Sequence, residues 1–312
     1  MDNAILSIMT AILSLEFIIG NVGNGFIALV NCIDWIKRRN ISTVDRILTA
    51  LSFTRIGLIW FVFLSRVASG HYIALILTGE MSKMINIIWT VVHHFSIWLA
   101  TNLSIFYFLK IANFTNSTFL YLKWRVSKVL LVTLLVSLII LLLNISLINM
   151  HIDVWVDGHD RNMTCSSSLK ECAHFLRRLL FTNIMFTFIP FTISLIIFLL
   201  LIFSLWRHLR KLQLNVTGSR DTSTTAHLQS LLIVIVFLLL SAIFFLSLVM
   251  QVLFSELMEK NLTTMICQIF GMAYPVGHSC ILIVGNRKLR QALLSVLWWL
   301  KFRFKDAEFL TP

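Results

Sequence analysis

The chain reads as an all-α membrane protein: seven transmembrane helices in a bundle, N-terminus outside, with a short amphipathic C-terminal helix on the inner leaflet. Three observations predict this. Of the 312 residues, 58% are apolar and only 13% are charged, against about 45–50% and about 25% in soluble globular chains. The apolar residues gather in seven runs, each long enough to cross about 30 Å of hydrocarbon as a helix. Lys and Arg number 26 against 14 Asp and Glu, and they sit in short bursts between the runs. This composition excludes a disordered chain and an ordinary soluble enzyme. Such a positive balance in a soluble protein would point to nucleic acid. Here it is better explained by a bilayer, and no nucleic-acid partner is expected.

The runs cover residues 4–33, 46–65, 84–109, 129–150, 179–205, 229–254 and 262–284. Run one follows a start free of Lys and Arg. It lacks the basic start and cleavage site of a signal peptide and is expected to act as an uncleaved anchor. Its segment GNVGNG, 20–25, supplies small residues for close helix packing. Run two carries Arg55 at its middle, and runs five and seven contain Pro190 and Pro275, each of which removes a backbone hydrogen bond and can kink a helix. The runs lack alternation and are over twice the length of a barrel strand, which excludes a β-barrel. No internal repeat supports a transporter architecture. After run seven, Leu289, Leu293, Val296, Leu300 and Phe304 recur at spacings of three and four and form one apolar helical face. Basic residues and Trp298 with Trp299 complete a helix suited to the inner leaflet. The chain thus divides into a bundle, 1–285, and a cytoplasmic helix and tail, 286–312.

Orientation follows from the basic residues. The segments 34–46, 110–128, 206–228 and 286–312 together hold 18 Lys and Arg, and the opposite segments hold 7. This bias puts the N-terminus outside and the C-terminus in the cytoplasm. Among the Asn-X-Ser/Thr sequons, Asn162 with Thr164 lies on the outer side well clear of the membrane and is the expected glycan site. Cys165 and Cys172 share that outer loop, either paired or as free thiols. No cysteine or histidine spacing fits a metal, and neither metal nor cofactor is expected.

Ionisable groups within a span are costly and are functional candidates by default. Glu16 and Arg55 are the two here. Arg55 offers five donors and is expected to join helices one, two and seven through Asn24 or Asn21 and through Ser279 or His278. Such a network serves either to hold helices together or to form a switch that repacks. In run three, Trp89, His93 and Ser96 share a face, and His94 points about 100° away. A Trp and a His on one face suit an aromatic-lined pocket with a polar contact; the alternative for Trp89 is plain packing. Signatures of nucleophile, metal and nucleotide chemistry are missing, so no enzyme is expected.

Several long strings resemble one family. EFIIGNVGNGFIALVNCIDWIKRRNISTVDRILTALSFTR (16–55), FYFLKIANFTNSTFLYLKWRVSKV (106–129), LLIFSLWRHLRKLQLN (200–215) and HSCILIVGNRKLRQALLSVL (278–297) are similar to the type 2 taste receptors. These bitter taste receptors are seven-helix G-protein-coupled receptors. The same strings separate the chain from rhodopsin-like receptors. Phe106, Tyr107 and Lys110 stand where Asp-Arg-Tyr would, and His278 with Ser279 where Asn-Pro-x-x-Tyr would. No cysteine lies between 33 and 164 to bridge span three to the second outer loop.

The resemblance implies a plasma-membrane receptor for small bitter compounds that activates a gustducin-type heterotrimeric G protein. Its ligand contacts fall on Trp89, His93, His94, Phe186, Ser241, Phe245 and Gln268. The switch network comprises Asn24, Arg55 and Ser279. The basic inner loops would offer Tyr107, Lys110, Lys123, Arg125, Arg207 and Arg210 to the G protein, with membrane lipids around them. The chain departs from the family pattern at His93, where Asn is common, at Ser241, often aromatic, and at Leu232, often Lys. Without the family, a transporter or channel for small molecules is the alternative reading. The short outer segments leave the bundle interior, or the space under the second outer loop, as the place for a ligand.

Overall fold

A backbone group inside hydrocarbon has no water to bond, so each apolar run must satisfy its own N–H and C=O groups, and a helix does so. The computed structural model describes residues 2–38, 42–67, 79–112, 114–161, 168–215, 222–253 and 261–309, and all its regular structure is helical. The helices are α1 (Asp2–Arg38), α2 (Thr43–Val67), α3 (Gly79–Ile111), α4 (Ser117–Trp124), α5 (Val126–Arg161), α6 (Ser168–Asn215), α7 (Thr222–Leu253), α8 (Asn261–Gly285) and α9 (Arg287–Phe309). Seven of them, α1, α2, α3 and α5 to α8, are long and apolar enough to span a membrane. They coincide with the seven predicted runs. Asn162 and Cys165 lie outside the described residues.

The helices outrun the apolar segments. The 48-residue α6 reaches Asn215, well beyond the predicted end of run five at 205. At 1.5 Å per residue it is about 72 Å long, more than twice the hydrocarbon thickness. The polar stretch 206–215 continues the hydrogen-bond ladder instead of forming a loop. Likewise α5 continues to Arg161 and α6 begins at Ser168, so most of the expected outer loop 151–178 is helical. There Ile148, Ile152, Phe175 and Leu179 form a small apolar cluster, with Trp155 stacked on Phe175 at 4.7 Å between centroids.

Helix α3 sits at the centre, packed against α2, α5 and α6, while α1 packs on α2 and α8, and α8 on α7. The main core joins Ile27, Leu51, Leu103, Leu201, Phe237 and Leu282 from six helices. Broad apolar faces of the spans stay exposed, for example Ile139, Leu142 and Leu199, as expected of surfaces meant for lipid. Gly20 fixes the approach of three helices. A Cβ there would stand 2.6 Å from Ile59 Cδ1 on α2 and 2.9 Å from Val276 Cγ2 on α8, whereas one on Gly25 would meet nothing within 4 Å.

Polar caps set the cytoplasmic layer. Ser42 Oγ accepts from the Asp45 N–H at 3.2 Å and donates to Asp45 Oδ2 at 2.8 Å, capping α2. Asn116 Oδ1 accepts from Thr118 N–H at 3.0 Å at the start of α4, and Asn286 Oδ1 from Lys288 N–H at 2.9 Å at the start of α9. Lys288 then pins α9 to the bundle: its Nζ lies 2.8 Å from Asp34 on α1 and 3.3 Å from Asp45 on α2. It also donates to Asn31 Oδ1 at 3.1 Å. On the predicted apolar face of α9, Leu289 is fully buried and Leu293 packs against the core. Val296 and Leu300 are exposed, where an inner leaflet would meet them.

Candidate functional site

Arg55 is completely buried on α2. Its Nη1 donates to Ser279 Oγ on α8 at 3.2 Å. The Ser279 hydroxyl in turn lies 2.7 Å from Asn24 Oδ1 on α1 and 2.8 Å from the Pro275 carbonyl, its one proton shared between these two acceptors. The expected link between the first, second and seventh spans, α1, α2 and α8, is therefore present, with Ser279 as its hub and Asn24 reached through it. Asn21 is not part of it and donates to the Phe17 carbonyl on its own helix. Arg55 Nε and Nη2 are buried without a protein hydrogen-bond partner. The Tyr274 ring lies 5.6 Å from the guanidinium carbon and offers its electron-rich face. His278 packs on Phe237 and Tyr274, at 4.2 and 5.5 Å between centroids.

Trp89 and His93 stack at 5.2 Å, one helical turn apart on α3. Phe61 of α2 meets Trp89 on one side, also at 5.2 Å. Phe244 of α7 meets His93 at 5.7 Å and then Tyr274 of α8 at 5.1 Å. Rings thus run in unbroken contact from Trp89 to the residue beneath Arg55. His93 Nε2 lies 3.1 Å from Thr187 Oγ1 on α6. The Thr187 hydroxyl already donates to the Asn183 carbonyl at 2.7 Å, so it accepts from His93 Nε2–H. That leaves His93 Nδ1 as a buried acceptor without a protein partner.

Next to this contact, a cavity of about 10 Å³ lies between α3, α5 and α6 and is lined by His93, His94, Trp98, Asn144 and Phe186, among others. Around it, Thr90 Oγ1, His94 Nε2, Trp98 Nε1 and Asn144 Oδ1 are also buried without protein partners. The volume suits about one water, far below the few hundred Å³ of a typical ligand pocket. Of the predicted contacts, the structure thus brings together Trp89 and His93 on one face, and His93, His94 and Phe186 around this cavity. Phe245 lies elsewhere, stacked on Phe191 of α6 at 4.4 Å. The Ser241 hydroxyl donates to the Phe237 carbonyl at 2.9 Å. Gln268 on α8 is half-buried, its Oε1 without a protein partner.

The predicted cytoplasmic contacts fall into two groups. Lys110, Lys123 and Arg125 line one cavity of about 520 Å³ between the start of α2, the end of α3 and the α4–α5 corner. Arg207 and Arg210 are exposed on the long end of α6, with Arg210 over the Trp206 ring at 5.8 Å. Tyr107 is half-buried, edge-on to Phe106 at 5.8 Å.

Three further residues are central to the geometry. Tyr274 and Phe244 link the α3 rings to Arg55, and Lys288 clamps α9. Aromatic residues in wholly apolar helices give no sign of which side faces inward. For Lys288 a signal did exist: Asp34 and Asp45 are the acidic residues of the first inner loop, and each needs a cation.

The chain matches the family model for the taste receptor protein (TAS2R) over residues 1–301. It is 56% identical over 308 residues to taste receptor type 2 member 14 of Homo sapiens, covering 99% of this chain and 96% of that protein. The same receptor in Papio hamadryas is also 56% identical over 308 residues, covering 99% of this chain and 97% of that one. Taste receptor type 2 member 140 of Rattus norvegicus is 53% identical over 300 residues, covering 96% of each chain. With seven membrane-spanning helices and matches along nearly its whole length, the chain is a multi-pass membrane receptor of the plasma membrane and belongs to the type 2 taste receptor family.

Proposed function

We propose that the protein detects small bitter compounds within its helical bundle and activates a gustducin-type heterotrimeric G protein at the plasma membrane. One observation carries this reading: the chain of contacting rings from Trp89 through His93, Phe244 and Tyr274 to the buried Arg55–Ser279–Asn24 network. A molecule that displaces Trp89 or His93 must move Phe244. Phe244 cannot move without disturbing Tyr274 and the guanidinium above it. Packed aromatic rings rearrange between discrete states rather than deforming smoothly. Ligand contact near α3 is in this way coupled to the junction of α1, α2 and α8.

The agonist contacts are Trp89, His93, His94, Phe186, Ser241, Phe245 and Gln268. Trp89 supplies area with tolerant geometry, which suits many compounds. His93 Nδ1 and Gln268 Oε1 are acceptors ready for a ligand donor. The cavity beside His93 is too small for such a compound, so binding opens space next to it. Asn24, Arg55 and Ser279 form the switch. Tyr107, Lys110, Lys123, Arg125, Arg207 and Arg210 face the G protein, and Asn162 carries the glycan.

The test is a set of concentration–response curves for a panel of bitter compounds on wild type, Trp89→Ala and Gln268→Ala. Trp89→Ala weakens most agonists. Gln268→Ala weakens only those that donate to it, by about 2- to 12-fold for a hydrogen bond worth about 0.5–1.5 kcal/mol. Unchanged potencies for every agonist in both variants would move the site elsewhere.

A further inference from the structure

We propose that the cationic corner between α2, α3 and the α4–α5 junction binds a phosphate-bearing anion, supplied by the headgroup of an inner-leaflet phosphoinositide. Its cavity, about 520 Å³, is large enough for a bulky headgroup and is lined by four cations: Lys110, Lys123, Arg125 and Lys128. Among the described residues no carboxylate lines it. The neighbouring Asp45 is already taken by Ser42 and Lys288. In the same layer that lysine has two carboxylate partners, whereas none of the four corner cations pairs with a carboxylate among the described residues.

The corner cations are positioned without being neutralised. Lys123 Nζ donates one bond to the Ala112 carbonyl at 3.1 Å and lies over the Phe119 ring at 5.7 Å. Arg125 lies over Tyr121 at 5.1 Å and Trp124 at 5.9 Å, and Lys110 over Phe106 at 6.0 Å. Such ring contacts hold a side chain in place while leaving its positive charge to an anion. Arginine presents a planar fork of donors and lysine a point charge, and both bind phosphate well.

The surroundings favour a lipid over a soluble anion. Trp124 is 82% exposed, and Leu120 and Tyr121 beside it are exposed too. A short helix with exposed Trp, Tyr and Leu belongs at headgroup depth. The charge bias puts this corner on the cytoplasmic side, where anionic lipids concentrate and attract each nearby Lys or Arg.

The experiment measures fluorescence polarisation of a fluorescent short-chain phosphatidylinositol bisphosphate on purified full-length receptor, without agonist or G protein. Failure here is therefore separate from failure of the signalling reading. Lys110 and Lys128 are exposed, so replacing them preserves the bundle. Lys110→Ala/Lys128→Ala is expected to weaken binding about thirtyfold, at about tenfold per 1.4 kcal/mol and about 1 kcal/mol per lost cation. The Lys110→Arg/Lys128→Arg pair keeps the affinity, as does Lys301→Ala/Arg303→Ala on α9. Equal loss in the α9 pair would mean diffuse charge attraction and would overturn the proposal. Competition by soluble inositol trisphosphate or inorganic phosphate as strong as by the lipid would overturn the lipid as source. Unchanged lipid affinity in the alanine pair would overturn the proposal and leave the corner to the G-protein contact proposed above.

Discussion

The hub of the buried network lends itself to a double-mutant cycle. Ser279→Ala removes the acceptor of Arg55 Nη1 at 3.2 Å and the donor to Asn24 Oδ1 at 2.7 Å, in a place where both partners are fully buried. The bond to a charged group is worth about 1.5–3 kcal/mol. Stranding Asn24 Oδ1 adds about 1 kcal/mol, so the single variant is expected to lose about 2.5–4 kcal/mol. Arg55→Ala leaves a cavity as well as unpaired polar groups and loses at least as much. In Arg55→Ala/Ser279→Ala the shared bond is lost only once. The double variant is then less destabilised than the sum of the singles by about 1.5–3 kcal/mol. Thermal unfolding of the purified receptor reads this cycle, at about 2–4 °C per kcal/mol for a large chain. Arg55→Lys recovers part of the loss, because the ammonium lacks the planar fork. Strict additivity would mean that the two side chains do not interact, and the switch reading would fall with the bond.

Three further outcomes follow from the packing and the topology. Gly20→Ala pushes a methyl against Ile59 and Val276 and costs about 1–3 kcal/mol, whereas Gly25→Ala enters open space and is neutral or gains up to about 1 kcal/mol in helix propensity; equal melting temperatures would contradict the close approach. Lys288→Ala removes the cation that Asp34 and Asp45 share and releases the start of α9, read as faster proteolysis or hydrogen exchange over residues 287–303 without loss of the seven spans; unchanged protection would show that Leu289 alone holds the helix. Asn162→Gln abolishes the glycosidase-sensitive mobility shift of the expressed protein; a shift that persists would refute the site or the orientation.

Much of the fold was legible because hydrocarbon thickness and backbone satisfaction leave little choice. Runs such as 262–284 gave their span limits directly, and the apolar face read for α9 contains Leu289 and Leu293, which pack on the bundle, beside Val296 and Leu300, which stay exposed. Helix ends beyond the membrane were not legible. The stretch 206–215 is polar, and in water a polar stretch is free to be loop or helix; continuation of the α6 ladder decides it. Arg55 stood out because a charge inside a span demands partners, and Ser279 and Asn24 were among the few groups available. That Asn21 turns to its own backbone, while Ser279 takes the central place, depends on helix rotation. The same limit separates Phe244 from Phe245. They are adjacent and chemically identical, about 100° apart on a helix that is apolar all round. One faces His93 and Tyr274, and the other faces Phe188 and Phe191.

The most direct test of the central claim is calcium release from cells that express the chain together with a chimeric G protein, challenged with a library of bitter compounds. Responses are expected to require both the receptor and the G protein, and to be weakened for most agonists by Trp89→Ala. Ligand-dependent current or uptake that persists without the G protein, and no G-protein-dependent calcium signal, would contradict it.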